Sequence, residues 1–151
     1  MKKKIINIIF LIIYISLIII FFVKSGENGT NSSNSSEIVV NIISNMFHVE
    51  KNDNLRLIVR KLLGHFLYNG LIGISSIIFY LTFNHFKFRT KIMIHYIVGF
   101  FVAFISEFVF ELNASGRNAT FNDVLIDYSG FILFSTIILI IYIIKNTKKE
   151  I

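Results

Sequence analysis

The sequence has no cysteine, no proline and no tryptophan. Without cysteine neither a disulfide framework nor a thiolate metal site can form, and thiol usage gives no reading of the redox compartment. Charge is scarce as well. Asp, Glu, Lys and Arg make up 16% of the chain, where a soluble domain carries about 25%, so most of the chain is built to face something other than water. No serine or cysteine nucleophile pattern, P-loop or HExxH motif occurs, and there is no internal repeat. What remains is apolar: 54% of residues are hydrophobic, with a mean hydropathy of +0.70. A length of 151 residues suggests one domain. The abundance of Ile, Phe, Asn and Lys resembles the coding bias of a low-GC bacterial genome.

A hydrocarbon layer about 30 Å thick is crossed by about 20 apolar residues in a helix. Four stretches qualify, residues 5–23, 62–83, 92–110 and 124–144. They predict an all-α, polytopic membrane fold with four transmembrane helices. The first follows Lys2, Lys3 and Lys4 as a signal peptide would. It exceeds the usual apolar region of about 7–15 residues, and no small-x-small cleavage site follows, so it reads as a retained anchor. The net charge of +6 does not point to nucleic acid. The bases sit at the ends of apolar runs, where they meet anionic lipid headgroups. Membrane lipids are the expected partners.

The bases also set an orientation. Lys2, Lys3, Lys4, Lys87, Arg89, Lys91, Lys145, Lys148 and Lys149 fall on one side, against Lys24, Lys51, Arg56, Arg60, Lys61 and Arg117 on the other. The denser side is expected to be cytoplasmic, which places both termini inside a bacterial cell membrane. The outer loop, residues 24–61, divides in two. Residues 25–36 are rich in Gly, Asn and Ser and read as a flexible polar linker. Its sequons at Asn28, Asn31 and Asn34, with another at Asn118, are chance products of asparagine richness in a bacterial chain. Residues 37–49 place Ile38, Val39, Ile42, Ile43 and Met46 at helical spacing. That stretch is too short to span, so it predicts an amphipathic helix in the outer interface or over the bundle.

Polar groups inside the membrane need partners, since a charge at its centre costs roughly 2.5–3.5 kcal/mol on insertion scales. In the second span His65, Asn69, Ile72 and Ser76 share one face. In the third, His95, Gly99, Ala103 and Glu107 step by four, and the small pair Gly99 and Ala103 would let a neighbouring backbone approach. In the fourth, Asp123, Asp127, Gly130 and Phe134 share a face. The first span offers only Asn7, Tyr14 and Ser16. With the expected topology, Arg60, Lys61, His65, Glu107, Arg117, Asp123 and Asp127 all reach the same outer level, where helices two to four could gather them in one pocket.

Each residue also has an ordinary structural reading. Thr120 to Asp123 resembles a capping box, and both acids sit at a helix start, where carboxylates complement the macrodipole. Arg60 and Lys61 are able to snorkel, and His65 to be a satisfied core histidine. Glu107 is the hardest to dismiss: a carboxyl flanked by Phe104, Phe108 and Phe110 must be protonated, paired or functional. His85 and His95, near the inner ends, read as interfacial, and His48 in the outer loop is assigned nothing.

At these residues the sequence resembles the VanZ-like family of small bacterial membrane proteins. The resemblance rests on Arg60-Lys-Leu-Leu-Gly-His65-Phe, on Glu107, and on Gly116-Arg117-Asn-Ala-Thr-Phe-Asn-Asp123-Val-Leu-Ile-Asp127-Tyr-Ser-Gly130. The order of elements is similar too: anchor helix, Ser-rich segment, amphipathic outer helix and three further spans. One departure stands out. The family shows an acid followed three residues later by Gln, and here Phe110 or Glu111 takes that place. Glu107 alone, or Glu107 and Glu111 as an acidic pair, would then carry the role. The resemblance implies resistance to the lipoglycopeptide teicoplanin.

Three functions compete. A binding or shielding module would hold an amphiphile, such as a lipoglycopeptide or a lipid-linked cell-wall precursor, with Arg60, Lys61 and Arg117 gripping carboxylate or phosphate. An enzyme acting on a lipid headgroup would use His65 with Glu107 or Asp127 as base and orienter, and Arg117 against developing negative charge. A structural protein would use the ions only to fix the register of the bundle. No cofactor is expected. A zinc or magnesium site of His, Asp and Glu has no spacing rule to support it, because its ligands come from separate helices.

Overall fold

The computed structural model describes residues 2–83 and 86–147, with side chains from residue 5 onward. His85, Lys148, Lys149 and the side chains of Lys2, Lys3 and Lys4 lie outside the described residues. Every regular element described is helical. We number them α1 (Lys2–Ser25), α2 (Gly29–Phe47), α3 (Asp53–Thr82), α4 (Phe88–Glu111) and α5 (Phe121–Thr147). All but α2 contain a stretch long and apolar enough to cross a membrane.

The α3 helix is the hub, packing against α1, α4 and α5. Its most apolar window is 44% buried, against 11% for that of α1, so α3 is the central post and α1 an outer wall. The contacts fix direction. Asn7, near the start of α1, donates to the Phe79 carbonyl and to Thr82 at the end of α3, at 3.2 and 2.9 Å. Tyr68, early in the same span, donates to the Leu17 carbonyl. The two helices are therefore antiparallel. Tyr14, Phe21, Ile72, Val102 and Phe131 form the shared core.

Glycine sets how closely α5 lies against α3. A Cβ on Gly130 would overlap the Phe66 carbonyl, and one on Gly73 would come within 2.6 Å of the Phe131 carbonyl oxygen. Close backbone approach of this kind is what small residues permit between membrane helices. Gly99 works differently from its sequence reading. A Cβ there would strike the ring of Phe131, so Gly99 makes room for an aromatic side chain, not for a neighbouring backbone. Ala103, one turn on, is fully buried.

The outer loop of the sequence reading is mostly helix. Residues 29–36, read as a flexible linker, form the first turns of α2. Asn28 caps them, its side chain accepting the Asn31 N–H at 2.9 Å, and the Gly29 N–H donates to the Ser115 carbonyl at 2.9 Å. A cap and a tertiary anchor override a composition poor in helix formers. The apolar stripe of α2 divides. Val39 and Ile43 are half-buried, while Ile38, Ile42 and Met46 are 65%, 55% and 66% exposed, and the buried apolar residue is Val40, outside the stripe. The helix ends at His48 in the left-handed conformation, with φ of 55°. The second span is also longer than its apolar core suggests, since α3 begins at Asp53 behind an Asn52 cap.

Candidate functional site

Two of the spans carry a π-helical stretch, Arg60–Leu67 in α3 and Ser106–Glu111 in α4. In the second, the Leu112 N–H reaches back five residues to the Glu107 carbonyl at 2.9 Å. Such wide turns are uncommon and are found often at functional sites. Here they carry Arg60, Lys61 and His65 on one helix and Glu107 and Glu111 on the other. The fifth helix supplies Asp123 and Asp127 from its first two turns. One end of the bundle therefore collects every candidate site residue.

They sort into three groups. Lys61 Nζ lies 3.0 Å from Asp123 Oδ1, with the acid buried and the lysine about one-third exposed. Arg117 meets Glu111 at 2.7 Å, both side chains almost wholly buried. Arg117 also donates to the Lys24 and Ser25 carbonyls at 3.3 and 3.0 Å, closing the C-terminal end of α1, where a cation suits the helix dipole. The third group is the deepest. His65 Nδ1 lies 3.1 Å from Asp127 Oδ1 and 3.6 Å from Glu107 Oε1. Asn69 donates to Asp127 Oδ1 at 2.8 Å, and Ser106 donates to Oδ2 at 3.4 Å. Glu107 is fully buried, and among the described residues no N–H donor reaches either of its oxygens, which lie against the Glu111 carboxyl.

Charge accounting isolates that last group. Lys61 offsets Asp123 and Arg117 offsets Glu111. Two carboxylates, Glu107 and Asp127, are left with one imidazole. Isolated buried charge is expensive, so this imbalance is the most unusual feature of the site.

A cavity of about 350 Å³ opens beside these groups. Arg60, His65 and Arg117 reach it, and Phe21, Leu63 and Tyr68 supply much of its apolar wall. Arg60 makes no ion pair among the described residues, and its buried Nε has no hydrogen-bond partner. The single pocket of the sequence reading is thus divided. Arg60, His65 and Arg117 line the cavity, Glu107 and Asp127 stand behind His65, and the Lys61–Asp123 pair lies outside the lining.

Other readings change with the structure. Thr120 does cap α5, its hydroxyl accepting the Asp123 N–H at 3.1 Å, yet Asp123 also holds Lys61, so capping is only part of its role. His95 is not interfacial. It is fully buried, its Nδ1 lies 2.9 Å from the Ser76 hydroxyl, and its ring stacks on Phe131 at 4.6 Å. Glu111 is held by Arg117, and Glu107 lies against both Glu111 and His65. Ser106 was not picked out from the sequence. Only its place beside Glu107 on an apolar helix marks it.

Comparison with family models, with curated proteins and with solved structures returns no match. The class the fold defines is an all-helical bundle with, among the described residues, four helices long and apolar enough to cross a membrane.

Proposed function

We propose that this chain is a VanZ-like protein of the bacterial cell membrane, with both termini cytoplasmic and α2 in the outer interface. Its cavity binds the anionic headgroup of an amphiphile at the outer surface. The ligand class is a lipoglycopeptide such as teicoplanin or a lipid-linked cell-wall precursor, and capture of the amphiphile lowers susceptibility to the antibiotic. One observation carries the reading: Arg60, which has no acidic partner among the described residues, borders a cavity with an apolar side of Phe21, Leu63 and Tyr68 and a polar rim that includes Lys24, Glu27 and Ser36. A guanidinium grips carboxylate or phosphate bidentately, and the apolar wall receives the chain of the same molecule. The exposed stripe of Ile38, Ile42 and Met46 on α2 suits a helix lying among headgroups.

The test compares teicoplanin with vancomycin, which lacks a lipid tail, in cells with and without the gene. Protection should be confined to teicoplanin, and Arg60→Ala should remove it at unchanged expression. A charge-assisted contact contributes about 1.5–3 kcal/mol, which corresponds to a loss of affinity of roughly tenfold to a hundredfold. Equal susceptibility with and without the gene would end the antibiotic reading.

His65 on the cavity wall, backed by two acids, favours a second reading in which the bound headgroup is also processed. A His65→Gln variant separates the two. Loss of turnover with retained headgroup affinity would establish an enzyme, and unchanged protection would leave binding alone.

A further inference from the structure

We propose that His65, Glu107 and Asp127 form a binding site for a single divalent transition-metal ion, with zinc as the best-fitting ion. The inference does not rest on the amphiphile reading, and it departs from the sequence expectation of no metal. It begins with proximity. One ligand atom from each residue lies within 4.8 Å of the other two, and all three residues are buried. The residues come from α3, α4 and α5, so the fold gathers them and sequence spacing has no part in it.

The His65–Asp127 contact does not extend to Glu107. Imidazolium Nδ1 offers one N–H, and that atom is 3.1 Å from Asp127 but 3.6 Å from Glu107. A hydrogen bond to Asp127 therefore leaves Glu107 out of reach. Glu107 also lies against Glu111, another acid, which is itself engaged by Arg117 at 2.7 Å. Two carboxylates and a neutral imidazole instead match a divalent cation in charge and number.

Both edges at His65 suit a tetrahedral ion, and the third lies within 4.8 Å. Zinc bonds to nitrogen and oxygen at about 2.0–2.2 Å, so neighbouring ligands in its tetrahedron stand about 3.3–3.6 Å apart. The observed 3.1 and 3.6 Å bracket that edge. The hydrogen bonds from Asn69 and Ser106 to Asp127 are of the kind that hold a ligating carboxylate in orientation. A ligand set of one nitrogen and two oxygens suits zinc or manganese better than a soft ion. With three protein ligands a tetrahedral ion keeps one position free, and His65, at the cavity wall, marks the route by which an ion or a ligand headgroup enters.

The experiment uses the full chain, tag removed, purified in detergent, stripped with chelator and titrated with zinc alone. Calorimetry and metal analysis should give one zinc per chain, with a rise in unfolding temperature. Cobalt should bind at the same site and develop the visible absorption of a tetrahedral centre. His48→Asn, which alters an exposed histidine far from the cluster in sequence, should bind zinc as the wild type does. Glu107→Gln should bind zinc more than about a hundredfold more weakly, exceeding the effect of a supporting residue alone. Without metal it should unfold at a higher temperature than wild type, because it removes the unmatched carboxylate, so weak binding cannot be ascribed to misfolding. Absence of stoichiometric zinc on the wild type would overturn the proposal, and so would equal zinc binding by wild type and Glu107→Gln. Headgroup affinity measured in the same preparations is independent of that result.

Discussion

The two ends of the bundle are held by different chemistry. At one end, three helices bring seven ionisable side chains together, and two of those helices widen into π-turns to do so. Toward the other end the polar contacts are neutral and sparse: Asn7 with Thr82, Ser76 with His95, and Tyr96 with Thr136. The helices there are regular. Neutral hydrogen bonds join the helices there, where ion pairs join them at the first end. The ions are concentrated at one end, which is the end the proposed function assigns to binding.

The largest expected effect tests that asymmetry directly. Asp127→Ala leaves His65, Asn69 and Ser106 facing a gap, and breaking a buried ion pair costs about 3–5 kcal/mol. Thermal unfolding in detergent should show it. A loss as small as that from a neutral pair would erase the contrast between the ends. Gly130→Ala comes next. It pushes a methyl group into the Phe66 carbonyl, and overpacking should cost about 1–3 kcal/mol, while the smaller Phe66→Leu, on the side-chain side, should not restore it because the clash is with backbone. Asn7→Leu samples the quiet end. Interhelical hydrogen bonds in membranes average about 0.6 kcal/mol, so its unfolding temperature should move little. Smallest of all is Arg60→Ala, expected within about 0.5 kcal/mol of wild type in stability while headgroup binding falls. A residue idle in folding but needed for binding would place the cavity, and not the ion lattice, at the centre of function.

Much of this was legible in the sequence, and the physical reasons are uneven. Apolar length alone exposes the spans. The faces were readable as well: His65, Asn69, Ile72 and Ser76 are all buried, as are His95, Gly99, Ala103 and Glu107, because period and burial are the same information in a helix. The start of α2 was not readable. Asn28 and Ser115 act together there across the fold, and local composition carries no trace of a partner more than eighty residues away. Pairing within the site was equally hidden. Which acid meets which base depends on the extra residue in each π-turn, and a strict 3.6-residue count places Glu107 and Glu111 one above the other. His95 was misread because its distance along the helix from the loop bases was taken for closeness to the surface, whereas the Ser76 hydroxyl and the Phe131 ring hold it inside.

The widened turn in α3 makes chain length, as well as residue identity, a coded quantity. A π-turn takes in one residue more than an α-turn, and one residue corresponds to a rotation of about 100°. Deleting a single position between Arg60 and Leu67 would let the helix relax to regular winding and swing everything before it around the axis. Val59 and Arg60 would leave the cavity while His65 and the span below stayed in place. A one-residue deletion should therefore be far more damaging than any single replacement on the exposed side of the same turn.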